Sequence, residues 1–408
     1  MARRRTRKAG RRRARRFGAG LLAVAAIAAG LLAGLWLWAR PAEPDAFYDA
    51  GAAVDGPPGT LLRSERFGRG VPAAASGWRI LHATTRRDGS AAVASAIVLV
   101  PAARPAGPWR AVAWTHGTTG VARGCAPSVL DRPFANVPAL DAALGQGWLI
   151  IATDYVGLGG PGRHAYLVGD EAARAALDAV RAAAHLPAVG AIGDVVVWGH
   201  SQGGNTALWA GIRAPGYAAE LPVRGVAALA PASDLPSLLA TARATMFGKI
   251  VSAYLVEGYA AAYPDLDAWA EVAPLARPLA RDIAGRCVGG LETLVSVAET
   301  WLLPSAGIFA GDPTAGALGR RLAENVPDAP VAAPLLVAQG EFDDLVSPAV
   351  QAAYVARRCA AGQAIDYRTY PGRDHISVLA EESGLPATLI EWTAARFDGR
   401  PATDNCRR

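Results

Sequence analysis

An α/β domain on a mostly parallel sheet, flanked by helices, is the fold class predicted here, and three observations predict it. Short apolar or β-branched runs recur along the body, separated in several places by helical stretches such as the Ala-rich 171–186 and 202–213. Runs such as WLIIAT and DVVVWG are apolar without alternation, as in strands buried on both faces. The chain has 408 residues, of which 52% are hydrophobic and 19% charged, enough to fill a large core and too apolar for a disordered chain.

The N-terminus is expected to be a targeting or anchoring device. Residues 1–16 form a basic head with ten basic side chains and no acid. Of the 41 basic residues, 31 then remain against 35 acidic ones, so the overall charge of +6 hides a mildly acidic body. Such a body offers no electrostatic footprint for nucleic acid. From Phe17 to Trp38 runs an uncharged stretch of 22 residues. As a helix it would span roughly 33 Å, close to a hydrocarbon core of about 30 Å. The apolar region of a cleaved signal is shorter, about 7–15 residues. Trp36 and Trp38 stand at its far end, where interfacial aromatics belong, and the basic head should stay in the cytoplasm. The reading is a transmembrane anchor, with a removed signal as the alternative. Both place the body outside the cytoplasm.

Residues 39–60, with Pro41, Pro44, Pro57 and Pro58, read as a linker. The domain is expected over 61–400, with 401–408 as a tail. Strands are expected at 78–84, 93–100, 110–115, 148–153, 194–199, 223–230, 333–339 and 364–370. About 100 residues between the sixth and seventh of these runs exceed any ordinary crossover. Phe247, Ile250, Val251, Tyr254, Leu255, Gly258, Tyr259 and Ala262 follow helical spacing there. The segment 233–331 therefore reads as a helical cap over the sheet's C-terminal edge, inserted before the strand that carries the acid discussed below. Most of that stripe is expected to pack the cap's own core.

Cys125, Cys287, Cys359 and Cys406 show no CxxC pair and no Cys/His cluster with zinc-like spacing, so no metal is expected. Four cysteines allow three pairings. Cys125–Cys287 with Cys359–Cys406 is preferred over four unpaired thiols, and the second bond would pin the tail.

Four motifs at strand ends carry the chemistry. Gly199-His200-Ser201-Gln202-Gly203 fits G-x-S-x-G, between a buried strand and a helix. That context is what a nucleophile elbow requires. Gly340-Glu341-Phe342-Asp343-Asp344 follows the run PLLVAQ, and Asp343, with Asp344 as rival, can orient a histidine. His375 follows the last strand and can act as general base. The order Ser201, Asp343, His375 is the α/β-hydrolase order. His116-Gly117-Thr118-Thr119-Gly120 follows the strand RAVAWT, so the amides of Thr118 (Thr119 as alternative) and Gln202 are candidate oxyanion donors. His82, His164 and His185 read as structural or surface residues. His116 and His200 read as motif neighbours without a proton-transfer role.

The sequence resembles the secretory lipase family of α/β hydrolases in its bacterial form. The resemblance rests on HGTTG with Cys125-Ala126-Pro127-Ser128, on Asp154-Tyr155-Val156-Gly157-Leu158-Gly159, on GHSQGG, on QGEFDDLV and on Gly372-Arg373-Asp374-His375. The basic, apolar head and the Ser347 between Val346 and Pro348 depart from the family pattern as expected here. The resemblance implies an acyl-ester hydrolase with a helical cap and two disulfides, in support of the preferred pairing. An apolar cap favours an acyl chain, so lipid or medium-chain acyl esters are the expected substrates, with no cofactor. A membrane-tethered acyltransferase, a serine peptidase and a binding module on an inactive hydrolase fold are the alternatives.

Overall fold

The computed structural model describes residues 36–49 and 56–406, with isolated positions between 19 and 34. The basic head 1–16, most of the apolar stretch 17–38 and residues 50–55 of the expected linker lie outside the described residues. Among the described residues no helix is long and apolar enough to cross a membrane. Residues up to Arg40 form a unit separate from Pro41–Arg408. In the first unit, residues 36–38 are helical and the Arg40 guanidinium lies 4.8 Å from the centre of the Trp36 ring.

The second unit holds nine strands: β1 (Leu61–Phe67), β2 (Ala75–Thr85), β3 (Ala91–Pro101), β4 (Trp109–Thr115), β5 (Leu149–Val156), β6 (Ile192–His200), β7 (Val223–Leu229), β8 (Leu335–Gly340) and β9 (Asp366–Tyr370). They form one sheet in the order β1-β2-β3-β5-β4-β6-β7-β8-β9. β1, β2 and β3 are antiparallel, and every pair from β5 to β9 is parallel. Eight of the nine match the expected runs; β1 does not, because its sequence LLRSERF is that of a half-exposed edge.

Alternate residues of each central strand enter two different cores. Val195 and Val197 of β6 face Ala173, Leu177 and Leu208, while Val196 and Trp198 face Trp148, Leu389 and Trp392. Both faces are dry, which is why these runs are uniformly apolar. Helices α1 (Leu140–Gly145) and α10 (Leu385–Phe397) cover one face; α2 (Gly169–Ala184), α3 (Gln202–Tyr217) and α9 (Pro348–Ala360) cover the other.

Between β7 and β8 stands the expected cap, made of α4 (Leu235–Ala242), α5 (Met246–Ala262), α6 (Arg277–Ala284), α7 (Glu292–Thr300) and α8 (Gly316–Glu324). Asp234 and Thr245 start α4 and α5 by accepting the Ser237 and Gly248 N–H groups at 3.1 and 3.0 Å. Tyr254 and Tyr259 are buried in the cap's own core, whereas Phe247, Ile250, Val251 and Leu255 of the same stripe line the cavity described below.

Both disulfides form as preferred. Cys125–Cys287 ties the loop after β4 to the cap, and Cys359–Cys406 ties α9 to the tail. The tail is also bonded to β9, where Asn405 accepts the Tyr367 N–H at 2.9 Å and donates to its carbonyl at 2.8 Å. The described part of the stretch read as a linker is fixed: Phe47 and Tyr48 are buried against Leu81 and Val93.

Candidate active site

The strand β6 ends at His200, and α3 begins at Gln202, so Ser201 alone makes the turn between them. Its φ is +57°, a left-handed conformation that a serine adopts only under constraint. The flanking glycines permit it. A Cβ on Gly199 would lie 2.0 Å from the Gly203 carbonyl oxygen, and one on Gly203 would lie 1.9 Å from the Thr115 carbonyl oxygen. The Thr115 hydroxyl donates to the Gly203 carbonyl at 2.7 Å, which locks the turn to β4.

The loops after β8 and β9 bring Asp343 and His375 together. The His375 Nδ1–H donates to Asp343 Oδ2 at 2.7 Å. Both residues are buried. Asp343 is held from every side: Oδ2 also accepts the Gln339 side-chain amide at 2.9 Å, and Oδ1 accepts the Leu345 and Val346 N–H groups at 2.9 and 2.8 Å. Asp344, the rival at the sequence level, is exposed on the cavity wall.

Ser201 and His375 open into one cavity of about 880 Å³. No hydrogen bond joins the Ser201 hydroxyl to the His375 ring among the described residues; ligand-free sites often tighten only when substrate arrives. Gly117, Thr118 and Gln202 border the same space, and Thr119 does not. Gln202 is the first residue of α3, where a backbone N–H has no partner within the helix. Thr119 instead turns its carbonyl to the cap, accepting the Val288 N–H at 2.8 Å. The roof is apolar, formed by Leu235, Leu238 and Leu239 of α4 together with the four side chains of α5 named above.

Four histidines are buried without a carboxylate bonded to them, and burial drives their pKa values down. His116 falls to about 4, and His164 and His200 to about 3. His82 moves in the same direction. His185 is exposed. His375 is the one histidine bonded to a carboxylate among the described residues.

The structure adds contacts that no local pattern marks. His164 Nδ1–H donates to the Val156 carbonyl at 3.0 Å, so its Nε2 accepts the Gln202 side-chain amide at 3.0 Å. The Thr118 hydroxyl lies 2.6 Å from the Tyr166 hydroxyl. Two motifs quoted above also meet. Asp154 accepts the Ser128 N–H at 3.0 Å and the Ser128 and Ser95 hydroxyls at 2.6 Å each. Burial pushes the Asp154 carboxyl upward. No group of His, Cys, Asp and Glu side chains that could hold a metal occurs among the described residues.

The sequence profile of secretory lipases matches residues 135–405, a span that includes Ser201, Asp343 and His375. The chain belongs to the secretory lipase family. As a secretory lipase it is a carboxylic-ester hydrolase, and the family places it outside the cytoplasm. It is 27% identical over 351 residues to Lipase A of Moesziomyces aphidis, covering 80% of this chain and 73% of that protein. Lipase 6 of Candida albicans is 23% identical, with 90% and 84% covered. Among solved structures, Candida antarctica lipase A superposes with a TM-score of 0.75 at 22% identity, over 89% of this secretory lipase and 87% of that chain. The esterase LipA of Xanthomonas oryzae gives 0.65 at 19% identity, over 85% and 100%. Both share the α/β-hydrolase fold with this secretory lipase.

Proposed function

We propose that the chain cleaves lipid or medium-chain acyl esters through an acyl-enzyme on Ser201. The observation that carries this reading is His375, bonded to the buried Asp343 at 2.7 Å, opening with Ser201 into a cavity roofed by aliphatic side chains. His375 takes the Ser201 proton as the hydroxyl oxygen attacks the ester carbonyl carbon. The carbonyl oxygen becomes an oxyanion, stabilised by the Thr118 and Gln202 amides. As the C–O bond to the alcohol breaks, His375 returns the proton to the departing oxygen. Water then enters, loses a proton to His375 and releases the acid, restoring Ser201. Asp343 keeps the ring in the tautomer with Nδ1–H and stabilises its cation. The acyl chain lies under α4 and α5.

The 17–38 segment holds the enzyme at the outer face of the cell membrane in this reading. Intact mass tests that placement: a full-length chain in the membrane fraction supports it, and a shortened chain in the medium replaces it with secretion.

The chemistry is tested by hydrolysis of p-nitrophenyl esters of graded acyl length. The expected result is turnover that rises with chain length and is lost by at least about 10⁴-fold in Ser201→Ala. A Ser201→Ala protein that keeps its activity overturns the reading. Addition of an alcohol acceptor separates the alternative: free acid as the main product supports hydrolysis, and a transferred ester supports an acyltransferase.

A further inference from the structure

A second groove of about 360 Å³ opens beside the first cavity, between residues 135–138 and the loop 374–380 after β9. Asn136, Asp374 and Ile376 line both spaces, so the two meet at a shared threshold. Asp374 and Ile376 flank His375 in sequence. In the mechanism above, His375 delivers its proton to the departing alcohol oxygen. The alcohol must therefore lie on the His375 side, while the acyl chain takes the apolar roof. The second groove adjoins that side, through Asp374 and Ile376 on either side of His375.

The threshold differs in chemistry from the acyl cavity. It presents an exposed amide and an exposed carboxylate beside the exposed Ile376, where the acyl roof presents only aliphatic and aromatic side chains. Asp374 Oδ1 accepts the Ser377 N–H at 2.7 Å and the Ile376 N–H at 3.0 Å, bonds that hold the carboxyl below its ordinary range. Neither bond uses Oδ2. No arginine or lysine lines the groove among the described residues.

We propose that Asp374 and Asn136 form the edge of an alcohol subsite that accepts uncharged, hydroxyl-bearing alcohols and rejects those carrying a phosphate. A carboxylate accepts hydrogen bonds from hydroxyls and repels an anion; an amide both donates and accepts. The proposal rests on the ester-hydrolase reading and names the alcohol half of its substrate.

The test uses the full chain and two esters with the same acyl group, monodecanoylglycerol and decanoylglycerol phosphate. The readout is the ratio of their kcat/KM values within each protein. The wild type should favour the neutral ester by about tenfold or more at low salt, and Asp374→Asn should narrow that ratio by roughly three- to tenfold. The Asn side chain can still accept the two backbone N–H groups, so the turn is kept. About 0.5 M salt should narrow the ratio in the wild type and move it less in Asp374→Asn, because exposed charges are screened and, of the carboxylates on the cavity wall, only Asp344 then remains among the described residues. Asn136→Asp, which adds a second negative charge, should widen it. A ratio unchanged in both variants, or a wild type indifferent to the phosphate, overturns the proposal. Hydrolysis of p-nitrophenyl decanoate, which lacks such an alcohol, is measured alongside. If the wild type leaves that ester intact, the hydrolase reading has failed and the subsite falls with it.

Discussion

His200 donates its Nε2–H to the backbone carbonyl of His375 at 2.9 Å, and the two rings lie 4.6 Å apart, centre to centre. The residue before the proposed nucleophile thus holds the loop of the proposed base. Asp343 fixes the ring of His375 through a side chain, and His200 fixes its backbone. His200 stays neutral, because burial and the neighbouring His375 bring its pKa down to about 3. It holds the loop as a neutral donor and takes no part in proton transfer.

Loss of that donor should misplace the base more than it weakens substrate binding. His200→Ala is expected to lower kcat by about 10–100-fold while KM changes by less than about threefold, since small misplacements of a reacting group are costly. His200→Gln, whose amide can donate to the same carbonyl, should recover part of the loss. Equal damage from Ala and Gln would mean that ring packing, not the hydrogen bond, sets the loop.

Three buried histidines make the fold sensitive to mild acid. His116, His164 and His200 have folded-state values of about 4, 3 and 3, against about 6.5 in an unfolded chain. Below that ordinary value the unfolded state binds protons that the folded state refuses. Their contribution to stability is therefore full above about pH 7 and shrinks as pH falls through 6.5 toward the folded values. Each approaches a loss of about 1.4 kcal/mol per pH unit in that window. Denaturant unfolding between pH 7.5 and 5.2 should show the decline, with proton uptake on unfolding at the acid end. A flat profile would show that these rings protonate without unfolding.

The central strands and the candidate-site motifs were legible for one physical reason: each is required by its immediate surroundings. A strand buried on both faces must be apolar throughout, so β3 to β8 stand out. A serine at φ +57° needs its small neighbours, so Gly199 and Gly203 announce it. β1 escapes because Arg63, Glu65 and Arg66 face solvent on an edge. The 41–49 segment escapes because its prolines suggest a linker, while Phe47 and Tyr48 find a core far away in sequence. His164 is the instructive miss. Its contact with Gln202 spans 38 positions and joins a loop to the first residue of α3, and nothing near either residue records it. Asn136 belongs to the same class.

The two disulfides should separate stability from activity. Cys125–Cys287 spans 162 residues and lies where Gly120 pairs with Cys287 across the loop that carries Thr118. Cys359–Cys406 spans 47 residues and holds the tail. Removal of either should cost about 2–5 kcal/mol of stability. Cys125→Ala with Cys287→Ala should also cut kcat by about tenfold or more, up to the roughly 10²–10³-fold that outright loss of an oxyanion donor costs. Cys359→Ala with Cys406→Ala should leave kcat within about twofold, since no described residue of the tail lines the cavity. Thermal unfolding and p-nitrophenyl ester kinetics on the two double variants decide it. Equal kinetic damage from both would remove the special role of the first bond.

The acyl cavity should read chain length. Each methylene moved from water into an apolar space gains about 0.8 kcal/mol, which is roughly fourfold in kcat/KM per added carbon. That gain continues only while the space under α4 and α5 remains unfilled. Val251 lies on the wall of this space, half-buried on the second of these helices. Val251→Trp fills part of the volume from a position where the larger ring can tilt toward solvent. Butyryl and hexanoyl esters should then be cleaved within about threefold of the wild-type rate, while esters of twelve carbons and more lose about tenfold. The optimum moves to shorter chains without a change in the pH profile, because Asp343 and His375 are untouched. A uniform loss at every chain length would instead place the acyl group elsewhere, and with it the assignment of the two spaces on either side of His375.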